Sequence, residues 1–191
     1  MPPVHPLKAA CGDDAAGVRQ WRAIALIIVS ILVVYANSLD CDWHYDDLFN
    51  IVDNPAIRME RLDLASVARA TLEGGQRPGK VQRPLAYLSF AINYFFGELD
   101  VFGYHLVNLF IHALAAIVLY CLIHHILLLT NQNQLYGLPA DQIALLATSF
   151  WAIHPINVTA VTYIVQRMAS MAALFYLLAM LLYVKGRLAE E

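Results

Sequence analysis

The chain has 191 residues, of which 60% are hydrophobic and only 14% charged, with a formal net charge of −3. A soluble domain carries about 25% charged residues, so apolar content gathered in blocks excludes an ordinary soluble globule and points to an all-α integral membrane protein. The acidic balance offers nucleic acid no partner. Cys11, Cys41 and Cys121 show no metal or disulfide spacing.

Residues 1–20 form a mixed N-terminal segment, and "MPPVHP" has no apolar h-region of a signal peptide. The run "WRAIALIIVSILVVYANSL" over 21–39 is close to the roughly 20 residues that cross a bilayer, and it predicts the first span. A polar loop over 40–103 follows. Within it "DLASVARATLEGG" reads as a short helix, capped by Asp63 and ended by Gly74-Gly75. "RPLAYLSFAINYFF" then places Leu85, Leu88, Ile92 and Phe95 on one helical face. As a helix it is about 18 Å long, too short for a core of about 30 Å, so it is expected to lie at the interface.

Three further spans are expected at 104–129, 140–154 and 168–185, with an external segment over 155–167 and a tail over 187–191. The third is short and stops at His154-Pro155. The membrane module thus covers 21–186, with about four spans. Lys8, Arg19 and Arg22 before the first span, and Lys185 and Arg187 after the last, place both termini in the cytoplasm. The 40–103 loop carries Arg58, Arg61, Arg69, Arg77, Lys80 and Arg83, but loops of this length obey the charge rule poorly.

Three features would meet on the side of that loop. Asp46-Asp47 lies just beyond the first span. Such a pair is usually a solvated turn, but at a bilayer edge desolvation can lift a carboxylate toward general-base duty. His105, Asn108 and His112 share one face of the second span, where polar groups turn inward either to bond other helices or to build a site. In "HPINVTAVTYIVQRM", Arg167 follows Gln166 at the membrane edge. Arg167 is either a snorkelling arginine or a fork for phosphoryl oxygens. Asn157-Val158-Thr159 matches the common glycosylation sequon. No Gly-rich phosphate loop, nucleophile elbow or CxxC pair occurs, so a soluble-enzyme reading has no support.

Three blocks in order, "YANSLDCDWHYDDLFNIVDNPAI", "RPLAYLSFAINYFFGELDVFGYHLVNLFIHALAAIVLY" and "WAIHPINVTAVTYIVQRMASMAALFYLLAM", resemble the N-terminal membrane part of the transmembrane and tetratricopeptide-repeat protein family. Its animal members are O-mannosyltransferases. The resemblance, over Trp21 to Gly186, implies a partial GT-C-like fold. It also implies transfer of a sugar from a polyprenyl-phosphate donor to a protein hydroxyl. Its acidic motif falls on Asp46 and Asp47, as catalytic residues. The other signatures fall on Arg83, His105, Asn108, His154, Gln166 and Arg167, as substrate or phosphate contacts. A divalent metal could share the phosphate's charge, with no ligand set to name. The implied setting is an inner or plasma membrane in a bacterium, or the endoplasmic reticulum in a eukaryote.

Four spans are fewer than such enzymes use, and no 34-residue repeat occurs. The chain then reads as a fragment or N-terminal part, one half of a split gene, or a short paralogue, either inactive alone or working with a partner subunit that supplies further helices or repeats. The alternative from another class is a non-enzymatic scaffold or assembly subunit that keeps this fold. A transporter, raised by the His105–Asn108–His112 stripe, lacks the paired charges and broken-helix repeats of a translocation path.

Overall fold

A computed structural model describes residues 6–75, 77, 80–130, 134–135 and 137–190, and it is all-helical apart from one two-residue ladder. Helix α1 spans Pro6–Tyr35, and its apolar run continues as a 3-10 turn over Ala36–Asp40. The tightening has a local cause. "ANSLD" holds residues whose side chains compete for backbone partners, and Ser38 Oγ donates to the Tyr35 carbonyl at 2.7 Å. The helix begins at Pro6, so the expected boundary near residue 20 is no structural break; residues 1–5 lie outside the described residues.

The loop folds into a cap over one end of the bundle. One π-helical turn covers Leu48–Val52, and a 3-10 turn covers Pro55–Ile57. Helix α2 spans Leu64–Glu73, with Asp63 Oδ1 accepting from the Ser66 amide at 2.8 Å, which is the expected N-cap. Gly74 does end α2, but in a right-handed rather than left-handed conformation. Its glycine is required by closeness. A Cβ there would lie 2.5 Å from the Ala70 carbonyl oxygen and 2.7 Å from Tyr87 Cβ and Cγ.

Helix α3 spans Pro84–Gly97. Its core side is Ala86, Tyr87, Phe90 and Ala91, while Leu85, Ile92 and Phe95 of the expected apolar face are exposed. The apolar residues therefore occupy two faces, one packed in the cap and one left outward.

Helix α4, Val101–Leu129, begins with Asp100 Oδ1 accepting from the Phe102 amide, and it packs against α1, α5 and α7. A short ladder pairs β1, Gln134–Leu135, with β2, Leu138–Pro139, and leads into α5, Ala140–Ala152. Pro155 cannot continue a helix. The chain bends by 52° between α5 and the segment that carries a 3-10 turn and α6, Val158–Thr162. Helix α7, Arg167–Glu190, completes the bundle and runs through the expected tail.

Three stretches, Gly17–Asp40, Val101–Leu129 and Ile164–Ala189, are long and apolar enough to cross a bilayer, and the bent pair makes a fourth if it counts as one span. The expected third span, 140–154, is α5, which reaches the length of a span only together with the bent segment that follows it. Within lipid, apolar contact alone does not drive helices together, so close packing and polar bonds carry the association. Ala116 of α4 and Ala144 of α5 are fully buried in one cluster with Ile27 and Ile31 of α1. At the far end Arg19 of α1 pairs with Asp141 of α5 at 3.6 Å.

Two substitutions rank the contacts of the cap. Asp63→Ala is expected to cost about 1 kcal/mol, the usual value of an N-cap. Gly74→Ala, which pushes α2 off α3, is expected to lower the melting temperature of the detergent-purified chain further. Equal melting temperatures for the two variants would show that α2 and α3 are not in close contact.

Candidate functional site

The cap and the membrane bundle meet in two layers. The lower layer is built around Arg167, which is fully buried at the start of α7. Its Nε donates to Asn108 Oδ1 at 2.7 Å, Nη1 to Asn93 Oδ1 at 2.7 Å and Ser89 Oγ at 3.2 Å, and Nη2 to the Tyr104 carbonyl at 2.8 Å. The Phe90 ring lies 4.7 Å from the guanidinium carbon. One side chain thus joins α3, α4 and α7, which lie far apart in sequence. The fork geometry expected to grip phosphate is here occupied by protein.

Asn108 extends the layer. Its Nδ2 donates toward the Tyr163 and Ile164 carbonyls, each at 3.3 Å, where the chain passes from α6 to α7. His105, also buried, bonds through Nε2 to the Cys41 carbonyl at 2.9 Å, and His112 does the same for Ala152 at 2.8 Å. Both histidines meet carbonyls that no helix satisfies, which is the interhelical reading of the polar stripe.

The acidic pair divides between the layers. Asp47 is fully buried, and its carboxylate accepts from the Val165 amide at 2.7 Å and the His44 amide at 3.0 Å. Burial raises its carboxyl above the usual range; the amide bonds from His44 and Val165 and the nearby His44 and His105 imidazoles pull the other way. Asp46 is exposed. Its amide donates to Tyr163 Oη at 3.0 Å, and its carbonyl accepts from Asn50 Nδ2 at 2.8 Å. Those backbone bonds fix the residue and leave the carboxylate outward. Tyr45, directly before the pair, has a positive φ of +32°.

The upper layer is a cavity of about 310 Å³ walled by Asp46, Asn50, Arg83, Gln166, Met168 and Ala172. A second cavity of about 540 Å³ shares the Asn50 and Arg83 walls. Arg83 is left-handed, φ +46° and ψ +50°, directly before Pro84, a conformation that costs of order 1–3 kcal/mol for a non-glycine residue. Its Nη1 reaches Met168 Sδ at 3.0 Å, and no carboxylate pairs with it among the described residues. Tyr87 Oη donates to Asn50 Oδ1 at 2.8 Å, completing a chain from Tyr87 through Asn50 to Asp46.

Of the residues singled out in the sequence, Asp46, Arg83 and Gln166 therefore share a cavity. Asp47, His105, Asn108 and Arg167 lie beneath it as its frame. His154 stands apart: its Nδ1 accepts from the Ile156 amide at 3.2 Å and caps the turn after the bend. Asn50, Ser89, Asn93 and Tyr163 were not singled out, because single polar residues with distant partners leave no local pattern. Asn157 of the sequon donates to the Trp151 carbonyl at 2.6 Å, so that amide is already engaged. Among the described residues no three His, Cys, Asp or Glu side chains gather as a metal site, and Asp47 already serves two amides.

Fold and site define a multi-pass helical membrane protein with a capped polar cavity at one end of its spans. The chain is 30% identical over 170 residues to the human protein O-mannosyl-transferase TMTC3, covering 87% of this chain and 17% of that protein. It is 30% identical over 195 residues to the Caenorhabditis elegans protein O-mannosyl-transferase F38B6.6, covering 96% and 27%. With the Xenopus laevis protein O-mannosyl-transferase tmtc2 it shares 35% over 158 residues, covering 81% and 18%. The chain belongs to this transmembrane and tetratricopeptide-repeat family and spans only about a sixth to just over a quarter of the length of these relatives. No family model matches it, and no solved structure does.

Removing the Arg167 guanidinium strands four acceptors. Arg167→Met is therefore expected to cost at least about 3 kcal/mol, and Arg167→Lys to recover only part, since one ammonium cannot replace the fork. Thermal unfolding checks this. Unchanged stability with lost phosphate-ligand binding would return Arg167 to the role of anchor.

Asp47 gives a pH signature. With its folded pKa raised, the folded chain holds the proton more tightly than the unfolded one. Its contribution is fully present below about pH 3.9 and is lost as pH rises through the folded value. Wild type is expected to lose stability relative to Asp47→Asn as pH rises from 4 to 7, read by melting temperature. A wild type that gains stability relative to Asp47→Asn over that range would contradict the burial of Asp47.

Proposed function

We propose that this chain forms the reacting face of a membrane glycosyltransferase that moves a sugar from a polyprenyl-phosphate donor to a protein hydroxyl. One observation carries the reading: an exposed carboxylate, Asp46, and an arginine with no carboxylate partner among the described residues, Arg83, face one cavity at the end of the spans. The names of the relatives support the class of reaction, and the polyprenyl-phosphate donor is what the family resemblance implies.

In this mechanism the acceptor oxygen attacks the anomeric carbon from the face opposite the phosphate. Its proton passes to the Asp46 carboxylate as the new C–O bond forms. The bond from the anomeric carbon to the phosphate oxygen breaks, and the polyprenyl phosphate leaves with the electron pair. Arg83 offsets the charge growing on that phosphate, and Gln166 supplies a neutral amide beside it. Asp47 anchors the loop and leaves the exposed Asp46 at the cavity wall, and is a positioning residue. Both termini lie in the cytoplasm, which puts the cavity on the outer or lumenal side. A further subunit or chain completes the bundle.

The second reading, an assembly subunit, draws on the outward side of α7, where Phe175, Tyr176 and Tyr183 are exposed. Transfer assays separate the two. With a polyprenyl-phosphate sugar, an acceptor peptide and the chain in bilayers with its partner components, Asp46→Asn is expected to lower kcat about 10²–10⁴-fold. Arg83→Gln is expected to raise the KM for the donor. Wild-type rates in both variants would refute the catalytic assignment and leave the assembly reading.

A further inference from the structure

The larger cavity is not needed for the phosphate. At about 540 Å³ it has room for more than one side chain, and it opens beside Asp46's cavity through Asn50 and Arg83. Its other walls are Phe49, Tyr87, Gln82 and Arg77, with Gly75 at its edge. Among the described residues no carboxylate lines it, and none pairs with Arg77 or Arg83. Tyr87 Oη and Asn50 are already bonded to each other, so the free polar character of the wall is supplied by guanidinium and amide. Two aromatic walls give a hydroxyl-bearing peptide a surface to lie on. Gly75 packs closely on Gln82 at this edge: a Cβ there would lie 2.8 Å from Gln82 Cβ.

We infer that this cavity is the acceptor subsite, and that it selects polypeptides carrying an acidic side chain close to the reacting hydroxyl, with Arg77 as the specificity-determining residue. The inference rests on the glycosyl-transfer reading for the word acceptor, while the binding it describes does not require turnover. Arg83 stands between the two cavities and serves the donor phosphate. Arg77 lies only in the larger one. An acidic peptide side chain there meets a planar fork at the wall, and the peptide's hydroxyl lies toward Asn50 and Asp46.

The test uses the full chain in nanodiscs of neutral lipid, with fluorescein-labelled peptides read by anisotropy. One peptide carries serine beside glutamate, and its isostere carries glutamine instead. Wild type is expected to bind the glutamate peptide about tenfold more tightly, the effect of one charge-assisted hydrogen-bond pair. Arg77→Gln is expected to erase that preference without changing affinity for the glutamine peptide, and Arg77→Glu to reverse it toward a lysine peptide. A short-chain polyprenyl phosphate is expected to leave peptide binding unchanged. No preference in wild type, or one that survives Arg77→Gln, overturns the inference, and so does competition by the polyprenyl phosphate that Arg77→Gln abolishes. If peptide selection holds while no sugar is transferred, the glycosyl-transfer reading fails and the acidic-peptide site stands.

Discussion

The structure depends on one buried guanidinium. Arg167 sits where the broken segment enters α7, and it is bonded to Asn108, Asn93, Ser89 and the Tyr104 carbonyl. A charge at the edge of a bilayer is costly unless satisfied, and apolar surface gives helices in lipid little reason to choose one another. The two facts meet here. Satisfying one arginine fixes the relative placement of α3, α4 and α7, and with it the floor of the cavity. Asp47 makes the matching link from the loop to the Val165 amide, two residues away from Arg167.

Above this frame the polar groups have a different character. Asp46 is held only through its backbone, and Arg83 is held in a left-handed conformation before a proline. Strain of that kind persists where the surrounding structure over-determines it, as it does at sites that act on ligands. Adjacent acids and neighbouring arginines thus divide by burial: one of each frames the site, and one of each faces the cavity. Chemistry needs groups whose hydrogen-bonding capacity is unspent, and a stable floor needs the reverse.

The sequence made much of this visible. The apolar runs of α1, α4 and α7 are long enough to declare themselves, and Asp63 announces α2 because a cap acts within three residues. His154-Pro155 marks the place of the bend, since proline removes a donor and clashes backward. What stayed hidden is long in range. Nothing within "HYDDLF" says that Asp47 turns toward an amide 118 residues away while Asp46 stays exposed. Arg167 reads equally as anchor or strut until Asn93 and Asn108 are found beside it. Gly74 passes for an ordinary helix stop, although its reason is the approach of Tyr87 from a helix not yet formed.

The central claim is that the two adjacent carboxylates have opposite environments, one open to the cavity and one sealed beneath it. Carbodiimide coupling of a small amine to the full chain in bilayers, followed by mass spectrometry of peptides containing residues 46 and 47, measures this directly. Asp46 is expected to be modified in the folded chain, while Asp47 is protected until the chain is unfolded. Equal modification of both in the folded chain, or preferential modification of Asp47, would contradict the division of roles between them.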